Sequence, residues 1–230
     1  MRHGIAYLFI TIALLSFSAQ AEKPKLSDTE LAEITKRGIL VADYDAAAWH
    51  ASDAVTATHP DDNAVTRYIA RNTENGWVVD FGRLNESGDK FLVAYEAVQK
   101  GDSEHFAVTV NTPAREDVGW DLFAARGIDV TLKDFRGESR SYNVVVLPTA
   151  LGGMFVYVYP AQVKAGVYPV GGDARYRVSS DGTTILERRQ LHKTIIESTP
   201  SGVPSGTSVA GGYHTHVLSE VPEDPMYCLS

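Results

Sequence analysis

The chain has 230 residues, with 21 basic and 29 acidic side chains and a net charge of −8. With no block of Lys or Arg to offset it, that balance argues against a nucleic-acid partner, since phosphate repels an acidic surface. Apolar residues make up 44% and charged residues 22%, which excludes disorder over the whole chain and indicates a globular domain.

Residues 1–21 read MRHGIAYLFITIALLSFSAQA. Arg2 supplies a positive start, 5–17 an almost unbroken apolar run, and Ala19-Gln20-Ala21 the small-x-small pattern that a signal peptidase accepts. A membrane-spanning helix needs roughly 20 apolar residues, so this run is too short to be one. The expectation is a secretory signal cut after Ala21, which leaves a soluble periplasmic or secreted protein with no later membrane span. No Cys follows the apolar run, so no lipid anchor is expected there. Cys228 is the lone cysteine, and the fold must hold without an internal disulfide.

Ser27-Asp28-Thr29-Glu30 is a capping box flanked by Leu26 and Leu31 at staple positions. It predicts a helix from Asp28 to Arg37, with Gly38 as its stop. A second helix is expected over 43–58, where Tyr44, Ala48, Ala51 and Val55 share one face and His59-Pro60 ends it. Trp49 on that helix is assigned to the core, as large aromatics usually are.

From Thr66 the apolar period becomes two. Asn75-Gly76 reads as a hairpin turn joining Arg67–Thr73 to 77–84, in a register that sets Arg71 opposite Asp80. A helix over 64–72 is the alternative. After a turn at 85–90, Phe91, Val93 and Tyr95 make a further strand, and Phe106, Val108 and Val110 another. Residues 117–135 read as helix, although Gly127 costs about 1 kcal/mol relative to Ala. Two nearly continuous apolar runs, 142–147 and 154–159, flank Gly152-Gly153 and suit the middle of a sheet. Strands at 174–179 and 183–188 flank Asp181-Gly182, another follows at 193–198, and the last is placed at 213–218 after a Gly-, Ser- and Pro-rich loop. The fold class is therefore α+β, with antiparallel sheet or sheets of about eight strands, N-terminal helices and one middle helix. The domain plan is a single domain over 22–230, or two subdomains, 22–111 and 112–230.

The candidate chemistry lies near the end. His214 and His216 are two apart on a predicted strand, so both side chains face the same way and can be offered to one metal ion. If 193–198 pairs with 213–218, Glu197 stands beside them. His-x-His followed by acid resembles the metal site of the JAMM metalloprotease family. Glu220, Glu223 and Asp224 follow closely, and the resemblance implies zinc held by His214 and His216, with Asp224 as the nearest downstream aspartate and Glu197 as a candidate general base. It departs from the family at Val217, where Pro is usual, and at Tyr227, where the ligating aspartate is usual; Asp224 comes three residues earlier. The sequence has no Gly-x-Ser-x-Gly elbow, since Gly202-Val203-Pro204-Ser205-Gly206 has the wrong spacing, and neither Gly171-Gly172 nor Gly211-Gly212 has the Lys-Ser/Thr ending of a phosphate loop.

A longer resemblance rests on 167–178, VYPVGGDARYRV, and on 212–224, GYHTHVLSEVPED. Together with Gly76–Leu84 and 91–96, these are similar to stretches of an uncharacterised family of exported proteins from Gram-negative bacteria. That resemblance implies an exported location and no established activity. It also implies a chain running on past Pro-Glu-Asp, whereas this one stops six residues after Asp224. The functional expectation is an exported, non-enzymatic binding or envelope-associated module, with a zinc-dependent hydrolase as the alternative. Cofactor: none, or zinc under the alternative. Partner: none named by the sequence.

Overall fold

The computed structural model describes residues 26–61, 63–198 and 218. Helix α1 spans Asp28–Thr56. Ser27 caps it as expected: its hydroxyl accepts from the Glu30 amide at 3.2 Å, and the Glu30 carboxylate accepts from the Ser27 amide at 2.9 Å. The two predicted helices are one, because Gly38 does not stop the first. It lies buried inside α1, between buried Ile34 and Val41. Interior Gly costs about 1 kcal/mol, whereas each buried side chain of Val size or larger contributes about 1.5–3 kcal/mol. Burying Val41 and Tyr44 against the sheet therefore wins.

An antiparallel meander follows: β1 (Arg67–Thr73), β2 (Gly76–Leu84), β3 (Phe91–Gln99) and β4 (Phe106–Asp117) form one sheet in that order. The β1–β2 hairpin closes on Thr73 and Gly76, so Glu74 and Asn75 make the turn. The register therefore differs from the predicted one by two residues: Ile69 faces Asp80, and Arg71 faces Val78. Arg71 still reaches Asp80 diagonally. β4 runs to Asp117, beyond the expected strand, and α2 (Trp120–Asp134) begins after two intervening residues. Gly127 is tolerated in α2 because the helix packs closely there: a Cβ at that position would lie 2.6 Å from Met154 Sδ.

The second half makes β5 (Tyr142–Pro148), β6 (Met154–Pro160), β7 (Tyr168–Gly171), β8 (Ala174–Val178), β9 (Ile185–Gln190) and β10 (Ile195–Ser198). β5, β6, β8 and β9 form a four-stranded antiparallel sheet, and β7 pairs with β10 in a small third one. The described residues thus hold ten strands in three sheets rather than about eight. β7 escapes a pattern reading because it has four residues, two of which are Pro169 and Gly171. The expected strand at 213–218 lies outside the described residues except for Leu218.

Two cores join the sheets. Val41, Tyr44 and Ala48 of α1 pack with Val79, Phe81 and Ala97 of the first sheet and Val145, Leu147 and Tyr157 of the second. Leu122, Ala125 and Ile128 of α2 pack with Ile69, Phe91 and Val93 and with Val146, Val156 and Tyr176. Each helix therefore covers both sheets, one helix per face. β1 runs beside β5, yet among the described residues no ladder joins them. The buried Tyr44 hydroxyl accepts from the Ala70 amide of β1 at 3.1 Å and interacts with the Val146 backbone of β5. Burial pushes its ionisation well above the usual phenol range. Among the described residues, no helix is long and apolar enough to cross a membrane.

Candidate functional sites

Strand alternation sends Val79 and Phe81 toward α1 and Asp80 to the opposite face, toward α2. There Asp80 meets Asp121 from the first turn of α2, and both are fully buried. Asp121 is placed by Asp117, whose Oδ1 accepts from the amides of Gly119, Asp121 and Leu122 at 2.9, 3.1 and 3.3 Å. One carboxylate thus caps the helix start that has no side-chain cap at Gly119. Arg71 of β1 donates to Asp80 and brings its Nε within 3.3 Å of Asp121. Arg115 of β4 reaches Asp80 at 3.2 Å and Glu96 of β3 at 3.0 Å.

As two carboxylates, this pair would leave both Asp121 oxygens without a donor. Desolvation by burial, then the neighbouring Asp80, pushes the Asp121 carboxyl up to about 8. At neutral pH Asp121 is therefore mostly the acid and hydrogen-bonds to Asp80. The arrangement resembles a proton-sharing catalytic dyad, but exposures of 0% and 1% deny a substrate access to either carboxyl. It fastens α2 and all four strands of the first sheet together.

A second pair lies at the small sheet. Asp173, buried just after Gly171-Gly172, holds His192 Nδ1 at 2.6 Å, and Gln190 Nε2 donates to both backbone carbonyls, at 2.9 and 2.7 Å. A carboxylate fixing one imidazole nitrogen orients the other for proton transfer or metal ligation. No local pattern in the sequence ties His192 to Asp173, which precedes β8 while His192 follows β9.

Of the residues singled out for zinc, His214, His216 and Asp224 lie outside the described residues. Glu197 is on β10, opposite Pro169 of β7, with its side chain 58% exposed and 3.5 Å from Arg140. Among the described residues, no group of three or more His, Cys, Asp or Glu side chains is set to hold a metal ion.

Trp49 overturns its core assignment. It is 65% exposed on the outer face of α1, stacked on His50 at 5.1 Å and 20°. The helix turns Ala47, Ala48 and Ala51 inward instead, small residues that let it lie close to the sheet. Leu31 and Ile39 share the outer face with Trp49, at 40% and 50% exposure.

No family model, curated protein or solved structure matches this chain.

Proposed function

We propose that this protein is an exported, non-enzymatic binding module that works through the outer face of α1. The observation that carries the reading is the exposed row of Leu31, Ile39 and Trp49 on a helix whose opposite face is buried from Ile34 to Val55. An apolar row of this kind marks an interaction surface. The buried Asp80–Asp121 pair supports it from the other side, since the strongest acid pair among the described residues is closed to substrate. The leader at 1–21, processed after Ala21, accounts for a periplasmic or secreted location, in keeping with the exported proteins it resembles.

A photo-crosslinking amino acid at position 49 tests the reading in the producing cell. It is expected to give one adduct of defined mass in the exported fraction, lost on Ile39→Asp and absent when the crosslinker sits at exposed position 83. No adduct at 49, or equal adducts at both positions, sinks the proposal. Mass spectrometry of the exported form checks the leader, with a start at Glu22 expected.

A further inference from the structure

From the same face, and resting on that reading, we infer that the partner is an apolar and basic segment, an amphipathic helix with Lys or Arg along its edges. At 100° per residue, Leu31, Ile39, Ala46 and Trp49 fall within about 80° of arc. At 1.5 Å per residue the row runs about 27 Å, the length of roughly 18 helical residues. Helix-on-helix docking uses such a row as its anchors.

The charge around the row selects the partner. Asp28, Asp43 and Asp53 are exposed on or beside the row, against Lys36 as the exposed base on that side. In parallel order a second copy would set Asp43 against Asp43 and Asp53 against Asp53; in antiparallel order Asp28 would meet Asp53 at both ends of the row while Lys36 meets Asp43 between them, so a second copy gains less from this face than a wholly basic partner does. Anionic lipid and nucleic acid are repelled by the same residues and by the overall charge of −8. A basic edge is attracted, and the indole face of Trp49 turned away from His50 is open to a Lys or Arg side chain.

The experiment uses the untagged protein and a synthetic amphipathic helix of Leu and Lys, about 18 residues long, read by fluorescence anisotropy. A Glu-for-Lys peptide, phosphatidylglycerol vesicles and the protein alone are the comparisons. The Lys peptide is expected to bind, the Glu peptide roughly tenfold or more weakly, and Trp49→Ala or Ile39→Asp to weaken the Lys peptide roughly tenfold. Leu186→Ala, on β9, leaves binding unchanged. Asp43→Lys with Asp53→Lys reverses the preference between the peptides.

Equal binding of both peptides, or no reversal by the charge swap, overturns the basic-partner inference. If Trp49→Ala still weakens binding in that case, the outer face remains the binding surface. Binding indifferent to Trp49 and Ile39 overturns both. Vesicle binding, or self-association lost on Trp49→Ala, overturns the inference in favour of a lipid surface or a second copy. Protection of Trp49 from acrylamide quenching in the protein alone, read as the difference from Trp49→Phe, shows that the chain covers its own face and also overturns it.

Discussion

Asp121 shows how a single side chain converts burial into pH dependence. Its carboxyl is raised from 3.8 to about 8 in the native state. Between those values the folded protein holds a proton that the unfolded chain has released. Stability contributed by this group is therefore full below about pH 4, falls as pH rises toward 8, and is flat above. Arg71 of β1 opposes the upward shift of this carboxyl, whereas Asp80 of β2 and Asp117 of β4 add to it; Glu96 of β3 and Arg115 of β4 are the other charged groups gathered around the pair. Asp121→Asn keeps a donor toward Asp80 and removes the titration. Urea unfolding at pH 5, 7 and 9 is expected to show a flattened slope in this variant, with a gain of about 1–3 kcal/mol at pH 9. An unchanged slope would mean that the pair does not share a proton. None of this is visible in sequence. Asp80 and Asp121 are far apart in the chain, and the predicted Arg71–Asp80 contact was reached through the wrong register.

At the scale of elements, legibility depends on whether a signal is local. The Ser27 box, the Gly88 turn and the Asp181-Gly182 turn are written in consecutive residues, and each forms where the pattern places it. Gly38 misleads because its role depends on what the helix packs against. The Asp173–His192 pair goes unseen because the β8–β9 hairpin, not the sequence, brings the two together. Gly182 carries a further requirement: it has φ +74°, and a Cβ there would stand 2.0 Å from the Phe123 carbonyl oxygen of α2. Gly182→Ala is expected to cost about 2 kcal/mol or more, read as a lowered thermal midpoint, because both the conformation and the close approach to α2 are lost. A variant as stable as the parent would show that this turn can move off the helix.

At the scale of the molecule, the α+β antiparallel plan follows from hairpin turns and alternating apolar residues, and the sequence carries it well. The sharing of two cores by two sheets is a tertiary matter, decided by which faces the helices cover. Tyr44 concentrates that sharing in one hydroxyl. Tyr44→Phe retains the ring and leaves the buried Ala70 amide without its acceptor, at an expected cost of about 1–3 kcal/mol in denaturant unfolding. A loss below about 0.5 kcal/mol would show that the ring alone does the joining.

The missing ladder between β1 and β5 has a consequence for how the protein comes apart. Within each sheet, separating neighbours means breaking a row of backbone bonds. Between these two strands there is instead a seam, closed by side chains and by the two helices that straddle it. Amide hydrogen exchange would register this as a boundary, with Ala70 exchanging through openings that leave both sheets intact.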